Sequence, residues 1–401
     1  MTARKKLLIY KILLFIFAFL IAFMPATASR SKEVNSRVIV EILGIDGSAD
    51  SDKVSVTAQY VMPTQSQGAT SKDTVTVEGD SLTLAVETLN TALGRRAELG
   101  HCSMVVVGSS TTPEHLGTLM TATDVTADVY LSAAEEKASD LVSDITEFMK
   151  KTGATDADFI AYGAKKAQIA TNTLLGFLSD LGSASKSAYI PIVTMLDKEK
   201  GGSSGGESGG NEQQGEDGGG SGEQKDDGGG ESGGGQTGMK VDKLALYNGE
   251  RRVGVLDSGA ARGVAWVSAP VEKGIVTADV EFDGKTIKDV SGHLLKKRAS
   301  IKIEPQNNSA TIKIKAYVEP NGDKFNELGS EKRAEISKII RDAYSKSIER
   351  DVNKAFEDAL EMECDPLFIG REFYRYAPEF YNNSYYPHNI TVNYDIEVVL
   401  K

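Results

Sequence analysis

The stretch ELGHCSMVVVGSS, residues 98–110, sets His101 directly beside Cys102 ahead of an apolar run. Cysteine and histidine are the residue types from which a thiolate nucleophile and its general base are built. Such a couple must face each other and needs a third group to orient the imidazole, whereas neighbours on a strand point to opposite faces. The expectation is a polar residue at the mouth of a strand and a small apolar one in the core. The other candidates are as sparse. His101, His115, His293 and His388 include no pair at a metal-ligand spacing such as i, i+4, so no metal site is expected. Cys102 and Cys364 form no CxxC motif, and their spacing leaves a disulfide between them open. The carboxylates of DGSADSD, Asp46 to Asp52, lack the order and the distal glutamate of an EF-hand loop and read as a solvated hairpin turn. There is no GxSxG elbow, no Walker A loop and no GxGxxG after a strand. No catalytic residue and no cofactor is assigned.

The elements around these residues are legible from periodicity. RVIVEILGID and KVSVTAQYVM read as strands with β-branched residues in near-alternation. In DSLTLAVETLNTALGRR, Leu82, Val86, Leu89 and Leu93 recur at helical spacing, Asp80 or Ser81 can cap the start, and Gly94 marks the end. CSMVVVG follows as a short buried strand, TPEHLGTLMTA as a helix with Pro113 in its first turn, and ADVYLSA as another strand. A longer helical region spans about 155–181, and SAYIPIVTML closes the segment as an extended piece. Further on, KLALYNGERRVGVLD is a hairpin with Asn248-Gly249 at its turn, and ASIKIEPQNNSATIKIKAYVE is a second one turning at PQNNS. Roughly from Ser330 to Met362, Ile336, Ile340, Tyr344, Ile348, Val352, Phe356 and Leu360 fall at steps of four. The final alternating strand NITVNYDIEVVLK is expected to cover that helix by joining the hairpins in an antiparallel sheet.

Composition divides the chain. Ile12 to Met24 is an uncharged run of 13 residues behind Arg4, Lys5, Lys6 and Lys11, and Ala26-Thr27-Ala28 follows as a small-x-small cleavage pattern. Residues 1–28 are therefore expected to be an export signal cut after Ala28, or an uncleaved anchor. Residues 201–238 hold 18 glycines in 38 positions and no aliphatic or aromatic side chain, the composition of a solvated tether. This stretch carries eight acidic residues and one lysine, so minus seven of the chain's net charge of minus twelve lies there. The rest shows no broad basic stripe, and no nucleic-acid partner is expected. The fold expected is α+β and multi-domain, with mixed or antiparallel sheets, packed helices and one long amphipathic helix against an antiparallel sheet near the C-terminus. The divisions are 29–200, the linker 201–238, and 239–401 as two subdomains, 239–293 and 294–401.

Four stretches in order carry a resemblance. AVETLNTALGRRAELGHCSMVVVGSS is similar to the passage of the Ger(x)C proteins, the C subunits of bacterial spore germinant receptors, where a helix leads through a leucine and a histidine into a short hydrophobic strand. LALYNGERRVGVLDSGAARGVAWV resembles the family's strand, turn and helix. IERDVNKAFEDALEMECDPLFIGREFYRYAPEFY resembles its long helix and the segment of Asp, Gly, aromatic and Pro that closes it, and an alternating strand ends the chain. The resemblance implies three α+β domains, no catalytic site, a place on the outer face of the spore inner membrane, and two integral membrane subunits as partners. The chain departs from the family in lacking a lipobox cysteine after its apolar segment and in the length of 201–238.

The expectation is a non-catalytic exported protein that docks on the membrane subunits of a germinant receptor and stabilises or gates them. The alternative is an exported solute-binding or cell-wall-modifying protein. Phe368, Phe373, Tyr374, Tyr376, Phe380 and Tyr381 are the candidate interface or packing cluster.

Overall fold

The computed structural model describes residues 37–47, 53–63, 70–152, 169–196, 238–269, 274–321, 333–382 and 389–401, with 11, 14, 15, 17 and 19 besides. Cleavage at Ala28, the stretch 201–237, most of the helical region expected at 155–181 and His388 lie outside the described residues. Among the described residues no helix is long and apolar enough to cross a membrane.

Strands β1 (Arg37–Gly47), β2 (Val54–Pro63) and β3 (Thr70–Gly79) pair antiparallel. Helix α1 (Leu82–Leu93) starts where the Ser81 hydroxyl accepts from Leu84 N–H. It stops at Gly94, whose φ of 59° is the left-handed conformation that ends helices without a Cβ penalty. The chain continues through β4 (Arg96–Glu98), a 3₁₀ turn at Leu99–His101, β5 (Met104–Val107), α2 (Pro113–Ala122) and β6 (Tyr130–Ala133). Helix α3 (Ala138–Thr152), to which periodicity assigned nothing, is capped by Asp46, whose carboxylate accepts from Ala138 N–H and Ser139 N–H at 2.7 and 2.9 Å. Asp46 is thus a helix cap and not part of a solvated turn. Next come α4 (Leu174–Leu181), β7 (Ser187–Leu196), β8 (Gly238–Asn248) and β9 (Arg251–Leu256). These strands make one mixed sheet in the order β3-β2-β1-β5-β6-β7-β8-β9, with β4 beside β1. The strands from β1 to β7 run parallel, and each flank is antiparallel. Helices α1, α2 and α4 cover one face and α3 the other.

The pairing of β7 with β8 joins the two sides of the glycine-rich stretch in one sheet. Leu196 lies opposite Gly238, so the glycine-rich stretch connects two neighbouring strands of one sheet. Gly238 belongs to β8 and not to the linker. Strands β8 and β9, expected in a C-terminal subdomain at 239–293, extend the first sheet instead. Glycine content reports that a segment cannot form a core, but carries no information on how its two ends are placed.

The second sheet is built from β10 (Gly274–Phe282), β11 (Lys285–Glu304), β12 (Ser309–Pro320) and β13 (Thr391–Leu400), in that order. Between β9 and β10 lies α5 (Ser258–Ser268); between β12 and β13 lie α6 (Arg333–Glu361), α7 (Ile369–Tyr376) and α8 (Pro378–Asn382). The last strand was expected to be antiparallel. It runs parallel to β12, from Ser309 opposite Thr391 to Val318 opposite Leu400. The long helix supplies the crossover that a parallel pair requires. On α6, Ile336, Ile340, Tyr344, Ile348, Val352, Ala355 and Ala359 are buried, and each large aliphatic among them contributes about 1.5–3 kcal/mol of burial.

Strand β8 joins the two cores through its period of two. Leu244 and Leu246 face the core around α5, α6 and the second sheet, while Ala245 and Tyr247 face the core under α1, α2 and α4. The Tyr247 ring meets Phe177 edge-on at 5.1 Å.

Candidate functional site

The first sequence candidate dissolves on inspection. His101 ends the 3₁₀ turn and is exposed, whereas Cys102 is buried and its thiol donates to the Met104 carbonyl at 3.1 Å. Burial pushes that thiol up to about 12, far from a thiolate at neutral pH. The pair sits on a turn rather than on a strand, and still the two side chains part. Cys364 is also buried, its thiol raised to about 12 by burial, and both cysteines are free. They belong to different cores, so no disulfide joins them. His115 serves structure: its Nδ1 accepts from Thr112 N–H at 3.2 Å in a capping box at the start of α2. Among the described residues no group of three His, Cys, Asp or Glu side chains is placed to hold a metal.

The aromatic cluster divides between core and surface. Phe368 and Phe373 are buried, Tyr374 and Tyr376 are 52% and 64% exposed, and Tyr381 is half-buried, its hydroxyl donating to the Ala184 carbonyl. The Tyr374 and Tyr381 rings meet edge-on at 5.6 Å. The side chain of Phe380 lies outside the described residues.

What holds this cluster is the turn between α6 and α7. Asp365 is 3% exposed, and one of its oxygens accepts from Ile369 N–H at 3.0 Å. The other accepts from Gly370 N–H at 2.8 Å and from the Ser185 hydroxyl at 2.7 Å. The Asp365 N–H in turn donates to Ser187 Oγ at 2.9 Å. A single carboxylate thus caps α7 and pins it to the residues that open β7. Asn248 adds a bond from its amide to the Glu363 carbonyl at 2.6 Å. Glu363 and Phe368 both take left-handed backbone conformations, with φ of 53° and 59°. For side chains as large as these, that conformation needs surrounding contacts to hold it.

Beside the turn opens a cleft of about 530 Å³ between the two sheets. Its walls come from α7 with Phe368, Arg371 and Tyr376, from Asp180 and Tyr189 of the first sheet's elements, and from Ala299–Ile301 of β11. The Arg371 guanidinium lies over the Phe368 ring at 4.4 Å and within 3.7 Å of Asp180. Desolvation raises the Asp180 carboxyl, while the Asn172 amide, donating at 3.0 Å, and the nearby Arg371 oppose the shift. Tyr189 is buried beneath, beside Ser268, and burial lifts its hydroxyl to about 12. The cleft therefore offers one arginine, the carboxylates of Asp180 and Glu372, the exposed Tyr376, and the hydroxyls of Tyr189, Ser268 and Ser300. Arginine and tyrosine are side chains that carry protein–protein contacts. Sequence reasoning pointed to the aromatics but missed Arg371, Asp180 and Tyr189, which come together only through the packing of the two sheets. Asp365 was within reach, since it opens the Asp-to-Pro segment of the resemblance.

Residues 30–195 match the family described as spore germination protein N-terminal domain, and residues 242–401 match spore germination B3/GerAC like, C-terminal. Among solved structures, one titled "Crystal Structure of the GerBC protein" is similar at 15% identity, with 89% of this chain and 96% of that one covered and a TM-score of 0.44. No curated protein matches. With the two germination-protein regions following each other along nearly the whole described chain, this protein belongs to the Ger(x)C family of spore germination proteins.

Proposed function

We propose that this protein is the non-catalytic C-type subunit of a spore germinant receptor, held on the outer face of the spore inner membrane, where it docks on the two integral membrane subunits and stabilises or gates them. The observation that carries this reading is the ordered match of both germination-protein regions. Helix α7, which lines the cleft with Arg371 and Tyr376, suits docking. Tyr374, Tyr376, Arg371 and Arg375 stand together on α7, with the Arg375 guanidinium 5.2 Å from the Tyr376 ring centre. Rigid aromatic and guanidinium groups of this kind contribute most of the energy of many interfaces.

The test is an affinity purification of the tagged protein from detergent-solubilised spore membranes, with mass spectrometry of its companions and of its own N-terminal peptide. Recovery of two integral membrane subunits in comparable amounts supports the receptor role, and their loss from a Tyr374→Ala, Tyr376→Ala variant places the contact at α7. If the wild-type protein emerges alone in the soluble fraction, the exported solute-binding or cell-wall-modifying alternative replaces this reading.

A further inference from the structure

Strand β11 is longer than its neighbour on one side. Its pairing with β10 ends at Leu294 opposite Gly274, whereas its pairing with β12 continues to Glu304 opposite Ser309. Among the described residues no strand pairs with β11 beyond Leu294, so among them nothing continues the ladder on that edge of residues 295–304. Exposed edges of this kind are templates for another strand.

This edge has a defined chemistry on each face. Lys296, Arg298, Ser300 and Lys302 are exposed on one face, and Ala299, Ile301 and Ile303 are partly buried against the core on the other. Lys302 is engaged by Glu304 at 3.0 Å. Lys296 and Arg298 have no carboxylate partner among the described residues. Arg298 lies opposite Lys315 in the ladder, and the carboxylate on that row, Glu397, is engaged by Lys315 at 2.7 Å. The cleft described above lies along the same edge, because Ala299, Ser300 and Ile301 line it.

The sheet's other edge shows how such a face is completed. There β13 lays Asp395 and Glu397 against Lys313 and Lys315 at 3.0 and 2.7 Å, while Val398 is buried in the core and Ile396 packs against it. We infer that the open edge of β11 receives an extended segment of another protein whose residues are alternately acidic and apolar, added as a further strand, with its carboxylates on Lys296 and Arg298. The chain's own acidic stretch at 201–238 does not fit, since it contains no aliphatic or aromatic residue for the inner face. This inference is independent of the receptor reading, because it specifies the chemistry of the strand and not its owner. Main-chain pairing supplies affinity in this mode, and alternate side chains supply specificity.

The experiment uses the full-length protein and three ten-residue peptides with blocked ends. The first alternates glutamate with valine, the second replaces glutamate by lysine, and the third is the acidic peptide with its backbone amides methylated at alternate positions. Hydrogen exchange followed by mass spectrometry reads protection along β11, and fluorescence anisotropy reads affinity. The expected result is slowed exchange at 296–304 with the acidic peptide only. Lys296→Glu with Arg298→Glu, both at exposed positions, weakens the acidic peptide at least tenfold and admits the lysine peptide. Equal binding of the methylated peptide, binding indifferent to the charge reversal, or absence of protection at 296–304 overturns the inference.

Discussion

Asp365 bonds across the junction of the two sheets. Its carboxylate holds two buried backbone N–H groups of α7 and the half-buried Ser185 hydroxyl. Removing it orphans buried donors, whose desolvation is not regained elsewhere. Asp365→Ala is expected to lower the unfolding free energy by about 3 kcal/mol. In urea titrations Ser185→Ala should then add little to it, because both changes break the same contact. Lys297 makes a different kind of prediction. Unlike its exposed neighbours it points inward, and its amine donates to the Ala265 and Trp266 carbonyls at 2.5 and 2.6 Å near the end of α5. Burial lowers it from its ordinary value to about 7. A neutral amine still has two N–H groups for two carbonyls, so the fold tolerates loss of the proton. Between pH 7 and about 10.5 the unfolded chain binds a proton that the folded one does not, and this group's contribution to stability therefore rises with pH. The contribution is constant below that window and above it. Relative to Lys297→Met, the wild-type protein should gain stability by up to about 1.4 kcal/mol per pH unit across the window, and parallel pH profiles for the two would show the amine to be charged in the fold.

Helices α5 and α6 cross where a side chain would not fit. A Cβ on Gly263 would lie 2.0 Å from the Asp351 carbonyl oxygen and 2.8 Å from the Ala355 Cβ. Beside that contact, Arg262 pairs with the buried Asp351 carboxylate at 2.6 Å. Gly263→Ala forces the helices apart and should destabilise by about 2–3 kcal/mol. Gly117 is the control, since a Cβ there meets nothing within 4 Å. Gly117→Ala in α2 should stabilise by about 0.5–1 kcal/mol, the ordinary propensity gain of alanine over glycine in a helix. Thermal melts of both variants check the pair. Elements such as α1, α6 and the β8–β9 hairpin were legible because their signals are local: Ser81 and Gly94 at the ends of α1, four-residue steps on α6, and Gly249 with φ of 60° at the hairpin turn. Helix α3 was missed although Leu141, Val142, Ile145 and Met149 mark one face, and its cap Asp46 stands 92 residues earlier in the chain. Strand β3 was missed although Thr74 to Val77 alternate threonine with valine, the β-branched pattern of a strand.

At the scale of the whole molecule, what sequence could not show is that the two germination-protein regions share their cores. Ile169, Ala170 and Tyr189 belong to the core of the second sheet, and Ala245 and Tyr247 to that of the first. Contacts like these join residues far apart in sequence, and periodicity is blind to them. The candidate site was hidden for the same reason, since Asp180 and Arg371 are neighbours only once β7 and β8 have paired. The sharing has a direct consequence. A chain ending at residue 200 lacks β8, so β7 is left as an exposed edge and Phe177 loses Tyr247. A chain beginning at 238 lacks the partner of β8 and the serines that meet Asp365. Neither piece should fold alone. Co-expressed, they should copurify as one complex that unfolds in a single transition, because the break falls in a segment that contributes no apolar core. Shortening 197–237 to a four-residue turn in the intact chain should stabilise it by about 2 kcal/mol, the difference in loop-closure entropy. If the piece ending at 200 is monomeric, with sharp cooperative melting by itself, then the division at the glycine-rich stretch is a true domain boundary and the shared core contributes little to folding. If it is recovered folded only with its other half, the stretch is a long hairpin loop inside one cooperative body.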